Sequence, residues 1–142
     1  MVLKQNRIKM KNINLPANHR RSFASTLFLL EKMAVEIRET LHSEKELRMQ
    51  KTEKDLSEAR KESVMNVLNA LETQIAILAD KYQLQPQELI ESHFLNARKS
   101  KAWEILNDSF SKRMRGFGEF PPELAREFDA DVQNLLDLIS KL

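Results

Sequence analysis

The stretch Val64 to Tyr82, VMNVLNALETQIAILADKY, decides how the rest of the chain is read. Its apolar residues Val64, Leu68, Leu71, Ile75, Leu78 and Tyr82 step by four, three, four, three, four. That rhythm lays them along one seam of an α-helix, the pattern of a helix packed on neighbouring helices. Such a seam must be buried, so the remaining sequence has to supply its partners.

Upstream, Phe23, Leu27, Leu30, Ala34, Ile37 and Leu41 repeat the rhythm. Pro16 suits the first turn of a helix, where its missing N–H costs nothing. A first helix over about 17–42 follows. Two seams of equal length predict an antiparallel hairpin, with Phe23 level with Tyr82 and Leu41 level with Val64. Residues 42–63 then form the connection. They carry six acids and six bases, and neither Gly nor Pro. Glu44–Arg48, Lys51–Asp55 and Lys54–Glu58 are spaced i,i+4, worth about 0.2–0.5 kcal/mol each on an exposed helix. The expectation is that helices 1 and 2 extend past the seams as a charged helical hairpin. It turns near Thr52, or a capping box at Ser43 and Glu46 starts helix 2 early, so that helix 2 spans about 44–84.

Downstream, Pro86 is expected in the first turn of a third helix, about 86–115, whose apolar residues include Leu89, Phe94, Ala102, Leu106 and Phe110. Gly116 reads as its left-handed closing residue, with Phe117 folding back on the last turn. A fourth helix, about 122–142, repeats by four and three through Leu124, Phe128, Val132, Leu135, Ile139 and Leu142. The fold expected is all-α: an antiparallel up-down four-helix bundle, one domain over 16–142, preceded by a basic N-terminal arm at 1–15. Seams of about 19 residues make it roughly 28 Å tall.

Composition narrows the chemistry. Of 142 residues, 42% are hydrophobic and 31% charged, which suits a folded helical protein rather than a disordered one. There is no cysteine, which excludes disulfides, thiolate metal sites and a cysteine nucleophile. No apolar run approaches the ~20 residues of a membrane span. A cytoplasmic protein without membrane contact is expected. The net charge of +2 hides an asymmetry. Lys4, Arg7, Lys9, Lys11, Arg20 and Arg21 precede the first acid, Glu31, whereas residues 119–142 hold six acids against Arg126 and Lys141.

Catalytic patterns are missing from the sequence. Glu39-Thr40-Leu41-His42 matches the Glu-x-x-His unit of di-iron bundles, but it occurs once. His93 has no acid three residues before it, and His19 stands alone. Gly116-Phe117-Gly118 follows no strand and precedes no Lys-Ser/Thr, so it is no phosphate loop. Asp129 with Asp131, and Glu44 with Glu46, read as solvated helix faces. No catalytic, cofactor-binding or metal-ligating residue is expected, and no small-molecule substrate.

The expected function is therefore binding to a protein partner or to itself as a homo-oligomer, in an adaptor, scaffold or regulatory role. The alternative partner is nucleic acid. Leu78-Ala79, Gln83-Leu84 and Leu89 follow the apolar spacing of a helix-turn-helix at the junction of helices 2 and 3. On that reading Gln87 faces bases, Arg98, Lys99 and Lys101 meet phosphates, and Arg20 and Arg21 add phosphate contacts with the arm. Against it, the turn position usually held by glycine is Gln83, and Glu88 and Glu91 open the would-be reading helix.

Overall fold

The computed structural model describes residues 12–142, and their regular structure is all-α. Four α-helices occur: α1, Ala17–His42; α2, Glu58–Lys81; α3, Glu91–Asn107; and α4, Pro122–Ile139. A 3-10 helix, Ser111–Phe117, links α3 to α4. Among the described residues no strand forms, and no helix is long and apolar enough to cross a membrane. The chain divides into two compact units, Met1–Pro86 and Gln87–Leu142. Most of the expected basic arm, with Lys4, Arg7, Lys9 and Lys11, lies outside the described residues.

In the first unit α1 and α2 run antiparallel along the two seams. Phe23 meets Tyr82 edge to face, with ring centroids 5.5 Å apart, the level that equal seam lengths require. Leu27, Ala34, Leu68 and Ile75 are buried between the helices. A fully buried Leu or Ile contributes about 1.5–3 kcal/mol, so this seam is the main source of the unit's stability. Arg38 bridges the helices on one side, pairing with Glu72 and donating to Asn69 Oδ1 at 2.7 Å. Both charged side chains are about a third exposed, so the pair adds little beyond register. Ile13 N–H donates to the Lys81 carbonyl at 2.8 Å, tying the segment before α1 to an otherwise open carbonyl at the end of α2.

The charged helical hairpin expected for 42–63 does not form. α1 stops at His42, and the first helical residue of α2 is Glu58. Between them Ser43 Oγ accepts from Lys45 N–H at 3.1 Å, and Lys54 Nζ donates to the Ser43 carbonyl at 3.1 Å. A two-residue turn is closed by an isolated Leu47–Gln50 bridge. The reason lies in burial: residues 44–57 are all exposed, and opposite charges spaced i,i+4 alone do not hold a helix that buries nothing. The cap of α2 is Ser57, whose hydroxyl accepts from Arg60 N–H at 3.1 Å, not Ser43.

α2 ends earlier than expected as well. Gln83 N–H bonds the Asp80 carbonyl and Leu84 N–H bonds the Ala79 carbonyl, the double closure of a Schellman motif. It places Gln83 at φ 52, in the left-handed region where glycine is favoured. Residues 82–90 then connect to α3, so Pro86 lies in the connection and not in a first helical turn.

In the second unit α4 packs on α3 with Val132 and Leu136 buried. Phe120 and Phe128 stack at 4.9 Å, and Lys99 Nζ donates to the Ser140 carbonyl at 3.1 Å. The expected seam of helix 4 holds at Val132, which is buried, and at Phe128 and Ile139, which are half-buried, but not at every position. Leu136 is buried, while Leu124 and Leu135 are half exposed. The apolar arc of α4 spans about half its circumference, and one neighbouring helix covers only half of such an arc. Helix 3 also differs: its α-helical part ends at Asn107, Gly116 lies inside the 3-10 helix, and the left-handed glycine is Gly118 at φ 107. Phe117 does not fold back; it is 90% exposed.

The 3-10 helix is held by Asp129 of α4. Its carboxylate accepts from Ser111 N–H at 2.8 Å and from Ser111 Oγ at 2.7 Å. Asp129 is thus not the solvated residue expected of an Asp129–Asp131 pair. These bonds, with Lys112 adding a smaller attraction, hold its carboxyl below the ordinary 3.8. The charged form is the one the fold favours.

Two predictions follow from the helix ends and this clamp. Ser57→Ala should lower stability by about 1 kcal/mol and Gln83→Gly should raise it by about 0.5–1 kcal/mol, opposite shifts readable by thermal unfolding. Because the folded-state pKa of Asp129 is depressed, its stabilisation is present above pH 3.8 and is lost as pH falls through the lower folded value. Asp129→Asn should flatten the decline of stability below about pH 4 in acid denaturation.

Candidate functional site

The six side chains singled out for polyanion contact are divided between the two units, Arg20 and Arg21 in the first and Gln87, Arg98, Lys99 and Lys101 in the second. Arg20 and Arg21 lie in the first turns of α1, Gln87 in the connection before α3, and Arg98, Lys99 and Lys101 on α3. The connection at 82–90 is longer than the tight turn the helix-turn-helix spacing implied, and Gln87 stands outside α3. Successive helix positions turn by about 100°, which separates Lys99 from Arg98 and Lys101. Each of the three also has a local partner. The Arg98 guanidinium sits 4.8 Å over the Phe94 ring, Lys99 reaches Ser140, and Lys101 Nζ is 3.6 Å from Glu104.

Arg20 and Arg21 have a more defined setting. With Ala17, Ala24, Gln83 and Gln85 they line an open recess of about 260 Å³. The Schellman closure of α2 builds it, because the turn at Gln83 brings that segment back against the start of α1. Three features favour an anion there. Pro16 offers no side-chain cap, so the first amides of α1 have no side-chain acceptor. Arg20 Nε is buried and has no hydrogen-bond partner. Arg21 donates to Asn18 Oδ1 at 2.6 Å, which steadies its guanidinium. Two guanidiniums and two carboxamides beside a helix N-terminus suit a phosphate or carboxylate held by charge-assisted hydrogen bonds.

Other polar clusters have less to offer. The Ser111–Asp129 pair resembles half of a nucleophilic dyad, yet no histidine joins it, and a carboxylate with a lowered pKa is a weak base. Its geometry is that of a helix-end clamp. His19, His42 and His93 are exposed, and among the described residues no three His, Asp or Glu side chains are placed to hold a metal ion. Trp103, on α3, is 57% exposed. Comparison of the chain with protein-family models, curated proteins and solved structures finds no match.

Sequence reasoning passed over Ser57 and the Ser111–Asp129 contact, and met Gln83 only as a residue standing where a turn usually has glycine. Ser57 followed by Glu58 is a legible helix start, masked by the capping box at Ser43 and Glu46. Nothing in the sequence marks Asp129 as the partner of Ser111, because the two are brought together only by α4 folding back.

If the recess holds anions, titrated inorganic phosphate should shift the backbone amide signals of residues 17–24 and 83–85. Arg20→Gln with Arg21→Gln should remove the shifts. Unchanged amide spectra in the wild type at low salt would eliminate the site.

Proposed function

We propose that the protein works by binding, to another protein or to a second copy of itself, with no catalytic centre. The observation carrying this reading is apolar surface left in solvent on ordered helices. Among the described residues the buried hydrophobic core comprises only Leu27, Ala34, Leu68, Ile75, Val132 and Leu136. Leu29, Met33 and Val67 in the first unit stay more than half exposed, as do Trp103, Ile105 and Leu135 in the second. Apolar side chains grouped on packed helix faces are the usual mark of an association surface. The four-helix bundle belongs to the same proposal. Each unit supplies a two-helix hairpin, and such a hairpin encloses its whole apolar arc only when two further helices are added.

A second reading, polyanion binding, is favoured by the Arg20–Arg21 recess. It requires affinity that falls steeply with salt.

The test is capture of partners, including untagged copies of the same chain, by the tagged protein with and without nuclease. Binding should survive nuclease, and a charge placed by Met33→Glu or Trp103→Glu should abolish it. Capture indifferent to both substitutions overturns the reading; capture lost only on nuclease treatment transfers support to the polyanion reading.

A further inference from the structure

On one side of the first unit the exposed Met33 and Val67 continue the half-buried Leu30, Ile37, Leu71 and Leu78 in two stripes, while Phe28, Leu29, Val35 and Ile77 are exposed off these stripes. On α1 the stripe Thr26, Leu30, Met33, Ile37 steps by four, three, four; on α2 the stripe Val67, Leu71, Gln74, Leu78 does the same. Thr26 and Met33 each stand one residue before the buried Leu27 and Ala34, and Val67 and Gln74 one residue before the buried Leu68 and Ile75. One residue is a turn of about 100°, so each stripe flanks its core seam by the same rotation in the same sense. In an antiparallel pair equal rotations lead to the same side of the hairpin. The Arg38 pairings with Glu72 and Asn69 lie on the opposite side.

Charge divides the same way. At about 100° per residue, Glu31, Lys32, Arg38 and Glu39 of α1 all fall away from the stripe, with Glu36 at its outer edge. On α2, Glu58, Lys61, Glu62, Glu72 and Asp80 fall away from it likewise, and only Arg60 and Lys81 bracket its two ends. The side between them is therefore an uncharged surface of about two helix widths. Its hydroxyl is already satisfied, since Thr26 Oγ1 donates to the Ser22 carbonyl at 3.2 Å. The second unit has no equivalent: Arg98, Lys101, Glu127 and Asp131 lie among its exposed apolar residues.

We infer that this face is a homodimer interface, in which the α1–α2 hairpin of a second copy packs on it to close a four-helix bundle. This rests on the reading that the protein acts through helix-face binding, and names the occupant. A face with no charge gives a foreign partner no ion pairs to recognise, and burying a charge against it costs several kcal/mol. A second copy presents the same uncharged stripes with the same spacing, as an isologous interface requires. The area is sufficient. From residue 22 to residue 40 α1 runs about 27 Å, and two helices are about 20 Å across, giving about 500 Å² per copy. The pair then buries about 1,000 Å², the level at which specific interfaces begin.

The experiment is sedimentation equilibrium on the full chain. The wild type should have the mass of two chains, Met33→Glu with Val67→Glu that of one chain with unchanged helical circular dichroism, and Val35→Glu, on the opposite side, that of two. A wild type of one-chain mass at every concentration, or a folded Met33→Glu/Val67→Glu variant that stays dimeric, overturns the proposal. Should that variant not fold, the wild type carries the test. Val35→Cys, unique in a cysteine-free chain, accepts a spin label, and a defined inter-label distance supports the dimer while its absence overturns it. A monomeric wild type that still captures another protein through the Met33 face defeats the dimer and leaves the binding reading standing. A monomer that captures nothing defeats both.

Discussion

Two helices can enclose one seam between them and no more. The first unit meets that limit with Leu27, Ala34, Leu68 and Ile75, the second with Val132 and Leu136. Apolar residues beyond those positions are half-buried or exposed. α4 shows it most plainly, because its apolar arc runs from Leu138 through Leu135 and Val132 to Leu136, and only the latter half is covered. The hydrophobic effect sets a preference for covering the rest, which is why these units are read as parts of a larger association.

The same limit governs the connections. Residues 43–57 are rich in helix-forming side chains and in opposite charges spaced four apart, yet no apolar stripe continues through them. Without burial, local bonds decide, so Ser43 turns the chain and Ser57 restarts the helix. At the other end of α2, closing the helix satisfies two terminal carbonyls, and Gln83 accepts a left-handed backbone to do so. That closure also makes the recess containing Arg20 and Arg21. Structural economy at a helix end thereby assembles the most defined polar site among the described residues.

Helical periodicity in the sequence determined the all-α class, α1 over residues 17–42, and the pairing of Phe23 with Tyr82. These depend on spacing at about 3.6 residues per turn, which a linear string displays directly. The candidate site was legible only in pieces: Arg20 and Arg21 as a basic pair, Gln83 as an anomaly in a turn. That they share a wall of one recess depends on where α2 ends, a matter of backbone closure.

Tertiary structure alone decided the rest. Which half of the α4 arc is buried, and hence Leu136 rather than Leu135, follows from the direction in which α3 lies. The 3-10 helix in place of a continued α3, and the ionised Asp129 that holds Ser111, follow from α4 folding back onto it. The physical reason is the same in each case: periodicity reports which residues can face a neighbour, while only packing chooses which neighbour they meet.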